Sequence, residues 1–288
     1  MKYKHLYIAF VALAVAFTGC QKDLLDEGYE NGTPAADANV VVTLATARTD
    51  GKLSLAVDAG SAHRPGVWID LNGDGLRATD ASEDITAFDT YIEYLLPEGT
   101  KTVDIYGAIT YLGAAENQLT GLDVSGNTHL TTLNVPLNEL RAIDLGRNTL
   151  LERLDLSGNR LTALNVSANK ALLSLWVFNN ELKSLDLSAN TSLAFLDCSG
   201  NGLTHLDVTR NTGLVRLLCH NNALTSLDIS RNGLLNRLWL FGNQLAEKET
   251  ESLIAALANA TRGDLWITDK PLTPAMATAA GAKGWVAQ

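Results

Sequence analysis

A repeat of 21 residues in the middle of the chain constrains its fold more than any other feature. The pattern L-x-x-L-x-L-x-x-N-x-L returns at constant spacing, and its copies begin at Ile109, Leu130, Leu151, Leu172, Leu193, Leu214 and Leu235. A second half-unit, L-x-x-L-D-L/V-S-x-N, lies between successive copies, as in "LTGLDVSGN" and "LKSLDLSAN". One unit alone cannot bury its leucines, so this repetition predicts a stack whose neighbouring units share a continuous apolar core.

The repeat resembles that of leucine-rich repeat proteins. Its 21-residue length with a nested "LDL" or "LDV" half is similar to the bacterial subclass called IRREKO. The resemblance implies a right-handed solenoid in which each turn adds one short parallel strand to a concave sheet. Glycine and proline are sparse in the units and the second half-unit also has an extended pattern, so we expect an extended, non-helical convex side. The predicted fold class is mainly β, with the repeats at residues 108–245.

The segments on either side of the repeats are expected to cover the ends of the solenoid, which would otherwise expose its core. Residues 38–107 alternate in β fashion, as in "NVVVTLATA" and "KLSLAVDA", and predict a small β domain docked on the first turn. Residues 246–259 have early acids and apolar residues at helical spacing, which predicts a capping helix. "GDLWITD" then repeats the strand pattern, so residues 246–288 are expected to form an α/β cap with an eighth strand.

Two columns of polar residues recur with the repeat, and both are interpreted as structural. The asparagine near the end of each main unit lies where the backbone turns, and its amide can satisfy backbone groups that would otherwise be buried unpaired. The second column is convex and is expected to bond to local backbone or hydroxyl groups rather than to a metal. Its members are Asp123, Asp144, Asn165, Asp186, Asp207 and Asp228.

Cys198 and Cys219 take equivalent leucine positions in successive units. Free cysteine packs as a small apolar side chain, so we expect both thiols to lie reduced in the core. A disulfide between them is the alternative.

The N-terminus has the features of a secreted and lipidated protein. Lysines precede an apolar run of 12 residues at 6–17, which is too short to span a bilayer and is typical of a secretory signal. The sequence "TGC" that ends at Cys20 resembles the lipobox of bacterial lipoproteins. The resemblance implies a signal peptide at residues 1–19 that is cleaved before Cys20, and acylation of Cys20. The polar composition that follows predicts a flexible tether at residues 20–37. An ordinary cleaved signal or an uncleaved anchor is the alternative.

The sequence also bears on location and on classes of partner. "QKDLLDE", which starts directly after Cys20, is similar to the tract that sends some Gram-negative lipoproteins to the cell surface. The resemblance implies a lipid-anchored protein of the Gram-negative outer membrane that faces outward. The net charge of −10 argues against a nucleic-acid partner, because phosphate binding depends on clustered Lys and Arg.

Two copies of the repeat carry aromatic residues where other copies carry Asp and Ser. "LWVFNN" at 175–180 and "LWLFGN" at 238–243 align with "LDLSGN" at 154–159. Successive side chains of a strand point to opposite faces, so these positions face the concave side when the leucines point inward. The polar copies indicate that the fold does not require apolar groups there. We therefore predict an exposed binding patch made of Trp176, Phe178, Phe195, Leu218, Trp239, Phe241 and Trp266, with His220 on its rim.

Large exposed apolar patches usually mark interaction sites, so the leading hypothesis is a binding module for a protein or peptide. A glycan that stacks on the tryptophans is the alternative ligand. It is also open whether the rings instead pack on one another or beneath the C-terminal cap. Catalysis is disfavoured: Glu152, Asp155 and Asp197 share the concave face, but an open sheet offers no deep, desolvated pocket to separate their pKa values. The sequence also has no phosphate-loop motif and no zinc-ligand spacing.

One loop in the N-terminal region is partly similar to a calcium loop. In "DLNGDG", Asp70, Asn72 and Asp74 take positions 1, 3 and 5, where alternating oxygens converge on one ion. Ala81 stands at position 12, where a bidentate Glu belongs, so another nearby acid (Asp80, Glu83 or Asp84) would have to substitute. The alternative is a turn rich in Asn and Asp with no ion. Calcium is the one cofactor that the sequence indicates.

Overall fold

The structure is a computed structural model that describes residues 41–288. The signal segment, Cys20 and the tether lie outside the described residues. The strands are β1 Val41–Thr46, β2 Lys52–Asp58, β3 Trp68–Asp70, β4 Ile92–Leu95, β5 Thr102–Tyr106, β6 Tyr111–Gly113, β7 Leu119–Asp123, β8 Thr132–Asn134, β9 Arg153–Asp155, β10 Ser174–Trp176, β11 Phe195–Asp197, β12 Arg216–Leu218, β13 Arg237–Trp239, β14 Gly263–Trp266 and β15 Trp285–Ala287. The helices are a 3-10 turn at Arg64–Gly66, α1 Glu247–Ala256 and α2 Pro274–Ala282.

A long sheet runs through the repeats, with its strands in the order β15-β14-β13-β12-β11-β10-β9-β8-β6-β2-β4. All pairings from β6 to β15 are parallel, and equivalent repeat positions face each other. Leu175 of β10, for example, lies opposite Leu154 of β9 and Leu196 of β11. No helix lies between β8 and β13. The predicted fold class, a mainly β leucine-rich repeat solenoid with a parallel sheet, is confirmed.

The leucines of the repeat form the core. Those at the centres of the short strands have between 0% and 1% of their surface exposed, and they are Leu133, Leu154, Leu175, Leu196, Leu217 and Leu238. Cys198 and Cys219 are free thiols in the same core, and burial raises the pKa of both. This matches the expectation that they pack as small apolar side chains.

The asparagine of each main unit ties consecutive turns together. The Oδ1 atom of Asn138 accepts hydrogen bonds from the backbone N–H groups of Asn117 and Leu119, both at 3.0 Å. Its Nδ2 donates to the carbonyl oxygens of Ala114 at 2.8 Å and Val135 at 3.0 Å. These bonds satisfy buried backbone groups of two turns at once, which is the structural role expected from the sequence.

The convex aspartates also bond locally. The Oδ1 atom of Asp186 accepts the backbone N–H of Ser188 at 2.9 Å, and the same bond recurs at Asp123 and Asp228. Each carboxylate thereby closes an Asx turn, in which the side chain accepts a hydrogen bond from the backbone N–H two residues later.

The N-terminal strands continue both faces of the solenoid. Strands β3, β5 and β1 form an antiparallel sheet with β7, which belongs to the first convex half-unit. Strand β2 pairs with β6 from Ala56 to Asp58, and with β4 on its other side. The segment predicted as a small β domain therefore hydrogen-bonds to the first turn strand by strand, which covers an end that would expose unpaired backbone and core.

The C-terminal segment continues the sheet at the other end. After helix α1, β14 pairs with β13 in register, and β15 follows β14. Leu253 and Ile254 of α1 are buried, as is Met276 of α2. The predicted capping helix and eighth strand are present. In the part of the chain that the structure describes, no helix is long and apolar enough to cross a membrane.

Candidate ligand-binding face

The register of the parallel strands builds columns of side chains on the concave face. The central column takes the last position of each short strand and runs through Asn134, Asp155, Trp176, Asp197, Leu218, Trp239 and Trp266. Because the leucine before each of these residues is buried, the column residues point away from the core. The structure thus brings the tryptophans at 176, 239 and 266 to one face, although the side chains around them differ.

Four residues at the C-terminal end of the face form what we call the ring stack: His220, Trp239, Phe241 and Trp266. Phe241 stacks on His220 with ring centroids 4.5 Å apart, and on Trp266 at 4.0 Å. The edge of Trp239 meets His220 at 5.9 Å and Trp266 at 6.1 Å. All four residues are half-buried, so much of their ring surface is used within the protein.

Hydrogen bonds and an ion pair join the ring stack to the C-terminal cap. The Asp264 Oδ2 atom accepts a hydrogen bond from Trp239 Nε1 at 3.1 Å and pairs with Arg237 Nε at 2.9 Å. Trp266 Nε1 donates to the Thr268 carbonyl oxygen at 3.1 Å. Burial lowers the pKa of His220 to about 4, so this ring is neutral at pH 7. The ring stack is therefore a seam between repeats and cap, as the alternative of mutual ring packing anticipated.

The other predicted patch residues differ in exposure. Leu218 is only 9% exposed, so its prediction as part of an exposed patch is wrong. It lies in register between Asp197 and Trp239, whose side chains flank it on the same face. Phe195 is half-buried under the guanidinium of Arg216, which lies 5.2 Å from the ring centroid. Phe178 is half-buried as well.

Trp176 stands apart from the other tryptophans of the column. It is half-buried, yet within residues 41–288 its indole makes no hydrogen bond and no ring contact. Trp239 and Trp266 at equivalent positions have both. In register on either side of Trp176 lie Asp155 and Asp197. Within residues 41–288, Trp176 is thus the tryptophan of the column whose indole lacks both kinds of contact.

Asp155 and Asp197 each bond to the serine two residues later. Asp155 Oδ1 accepts from Ser157 N at 2.9 Å and Oγ at 2.6 Å, and Asp197 Oδ1 accepts from the same atoms of Ser199 at 3.0 and 2.6 Å. Burial raises the pKa of both carboxyl groups, and it raises that of Asp197 to about 6 against the opposing serine bonds. Both residues are half-buried, so these two acids on the sheet are partly desolvated.

The sequence patterns did not place Tyr91 on this face. A Cβ atom on Gly113 would lie 2.7 Å from the Tyr91 hydroxyl and 2.6 Å from the Tyr111 hydroxyl, so both phenols cover that glycine. Burial raises the pKa of Tyr91, and Tyr111 and Asp155 raise it further. The two tyrosines form the N-terminal wall of the face. Tyr91 precedes its strand, so no periodicity points to it. The available signal was Gly113, a glycine in register with Asn134, where the later turns carry larger side chains.

The calcium-like loop is closed by its own backbone. Asp70 Oδ1 accepts from Gly73 N at 2.6 Å and Oδ2 accepts from Gly75 N at 2.8 Å. Asn72 and Asp74 are exposed and bond to each other. Across residues 41–288 no group of three or more His, Cys, Asp or Glu side chains is arranged to hold a metal ion. Hydrogen bonds within the loop therefore account for its geometry.

Comparisons with known proteins agree with the fold. The Leucine Rich Repeat family model matches residues 150–170, and no curated protein matches the chain. An internalin, InlF, from Listeria monocytogenes is 22% identical over 57% of this chain and 48% of its own, with a TM-score of 0.50. The functional domain of InlJ from the same organism, which includes a cysteine ladder, is 44% identical over 47% of this chain and 30% of its own, with a TM-score of 0.47.

The chain thus spans less than half the length of either solved structure. The likeness to InlF is one of fold, and together with the repeat match it defines a leucine-rich repeat solenoid. Leucine-rich repeat domains commonly bind proteins and generally act as non-enzymatic scaffolds.

Proposed function

We propose that this protein is a non-catalytic, lipid-anchored binding protein of the cell envelope that recognises a protein or peptide on its concave face, centred on Trp176. The observation that carries the proposal is the contrast within one column. Trp239 and Trp266 are engaged by rings and hydrogen bonds, while the indole of Trp176, which is equally half-buried, makes neither contact within residues 41–288. Tryptophan is among the residues that dominate interface energetics.

The surroundings of Trp176 support binding more than catalysis. Its neighbours along the sheet are two carboxylates, and Arg216 lies one turn further on. Tyr91 and Tyr111 bound the face at one end, and the ring stack bounds it at the other. A rigid surface with an aromatic centre and a charged surround is the usual composition of a protein interface.

The sibling turns of the solenoid provide a sharp test. Trp176→Asp combined with Phe178→Ser converts this turn to the Asp–Ser pattern of Asp155 and Ser157, which the fold already accommodates. Surface proteins cross-linked to the wild-type protein should be lost with this double variant, while its melting temperature stays close to that of wild type. Recovery of the same partners by the double variant would show that the concave turn is not the binding site.

A matched control uses the convex face. Asp186→Asn alters a carboxylate with the same local bond to the serine two residues later, but on the opposite side of the solenoid. The partners should be recovered unchanged with this variant.

The lipid anchor is a separate part of the proposal. It rests on the lipobox-like sequence at Cys20 and on the surface-export tract that follows it. Metabolic labelling with a palmitate analogue should tag the wild-type protein in the outer-membrane fraction, accessible to protease from outside the cell. Cys20→Ser should abolish labelling, and persistent labelling of that variant would refute acylation at this residue.

Glycan binding is the second candidate function. It is favoured by the two carboxylates beside the indole, because each has one oxygen outside the serine bonds that can accept from sugar hydroxyls. Binding of the wild-type protein to a glycan array, lost in the Trp176→Asp and Phe178→Ser double variant, would establish this function instead.

A further inference from the structure

The carboxylates beside Trp176 define a symmetric charge arrangement. Asp155, Trp176 and Asp197 occupy the same position of three consecutive parallel strands. At a strand spacing of about 4.8 Å, the two aspartates stand roughly 10 Å apart with the indole between them. A single cationic group attracted to the face of an indole lies within about 6 Å of its centroid, so it would reach both carboxylates from that position.

Neither carboxylate is neutralised by the protein itself. In each case the described hydrogen bonds occupy Oδ1, which leaves Oδ2 for another donor. None of the ion pairs formed between residues 41 and 288 includes Asp155 or Asp197. Arg216, in register beside Phe195 on the next strand, lies over the ring of Phe195.

Holding these charges in a shielded position without a counter-ion costs free energy. Removal of water disfavours an ionised carboxylate, and each of the two also repels the other. A bound cation would relieve both effects. The net charge of −10 adds a long-range attraction for positively charged partners.

We propose that the partner presents a lysine or arginine side chain to Trp176, where the indole contacts the cation and Asp155 and Asp197 pair with it from both sides. This inference rests on the proposed function, since it names the chemistry that the concave face recognises. An acidic group would be repelled by both carboxylates at the same position. A neutral sugar would leave both charges without a counter-ion.

A random peptide library tests the inference directly. Displayed peptides are selected on the immobilised full-length protein, synthesised with a fluorescent label, and measured by fluorescence anisotropy. We expect the selected peptides to share one basic position. Acetylation of a lysine at that position, which removes its charge and keeps its length, should weaken binding at least tenfold.

Two matched variants separate a local ion pair from general attraction. Asp155→Asn with Asp197→Asn removes two charges beside Trp176 and should weaken binding at least tenfold. Asp186→Asn with Asp228→Asn removes two charges from convex aspartates with the same local bonds, and should change affinity less than twofold. Equal weakening by both double variants would reduce the effect to net charge and overturn the inference.

The outcomes also separate this inference from the proposed function. Peptides that lose binding in the Trp176→Asp and Phe178→Ser variant, but carry no basic position or tolerate the concave Asn variant, would overturn the inference alone. If no selected peptide depends on Trp176, both the inference and peptide recognition at this face are overturned.

Discussion

The burial of Asp197 on the concave face predicts a measurable pH dependence of the free energy of unfolding. Burial raises the pKa of its carboxyl group from 3.8 to about 6. Between about pH 4 and pH 6, the folded protein therefore keeps a proton on Asp197 that the unfolded chain has already released. As the pH rises through this range, this group lowers the free energy of unfolding. At about 1.4 kcal/mol per pKa unit, the full shift corresponds to about 3 kcal/mol of unfolding free energy. The contribution of this carboxylate is smaller, because it keeps some contact with water.

Asp197→Asn should therefore stabilise the protein at neutral pH. We expect the free energy of unfolding to rise by about 1–2 kcal/mol at pH 7.5 and to change little at pH 4, measured by denaturant unfolding. His220, whose pKa burial lowers to about 4, has an opposite dependence, but it acts in both proteins and cancels in their difference. Asp186→Asn is the control, because its serine bonds lower the pKa of Asp186. A loss of stability at pH 7.5 on replacing Asp197 would contradict this account.

Glu83 shows how a buried acid holds an exposed loop in place. It is 3% exposed, and its two carboxylate oxygens accept the backbone N–H groups of Leu71 at 3.0 Å and Ala78 at 2.9 Å. Glu83→Gln turns one acceptor into a donor that faces an N–H group, so we expect a loss of about 1–3 kcal/mol in unfolding free energy. The measurement is denaturant unfolding in a chelator, with Glu98→Gln at an exposed site as the control. Equal stability of the two variants would rule out this role.

At the scale of elements, the aromatic residues of the face divide into two groups. Trp239 joins strand β13 to β14 through ring contacts and its bond to Asp264, whereas Trp176 of β10 has neither kind of contact among the described residues. Trp239→Ala should lower the unfolding free energy by about 2–4 kcal/mol, since it removes a large packed ring. Trp176→Ala should cost under about 1 kcal/mol. Thermal and denaturant unfolding of the two variants side by side test this, and equal losses would remove the distinction.

The strands themselves were predictable from the sequence for a simple reason. Each buried leucine recurs at the same position of a 21-residue unit, so the register of one pair of strands is repeated in the next. The columns on the concave face follow from that register. The contacts of the site were less predictable, because they involve side chains from segments outside the repeat pattern.

Three residues illustrate that limit. Asp264 reaches Trp239 because β14 pairs with β13, but a helix separates the two strands along the chain and hides the pair from the repeat pattern. Tyr91 reaches the face from a segment without periodicity. Leu218 was expected to be exposed, yet its flanking neighbours bury it.

At the scale of the whole molecule, the solenoid is a linear stack between two covered ends. Each turn pairs only with the turns before and after it, so its stability approximates a sum over turns and their contacts. One consequence is that a whole turn can be removed if the register is kept.

Deletion of residues 172–192, which is one full unit, should therefore leave a cooperative fold that lacks Trp176 and Phe178. Deletion of residues 172–181, which is less than one unit, should prevent cooperative folding because it breaks the register of leucines and asparagines. Circular dichroism during thermal unfolding distinguishes the two deletions. A cooperative transition in the shorter deletion, or none in the full-unit deletion, would contradict a linear stack.

The central claim is that partners bind at the turn that carries Trp176. Covalent footprinting of the wild-type protein, with and without a partner recovered by cross-linking, tests it most directly, because labelling of each tryptophan is read separately by mass spectrometry. The account predicts strong protection of Trp176 and little change at Trp285, which is 3% exposed in the C-terminal cap. Unchanged labelling of Trp176 in the complex would contradict it.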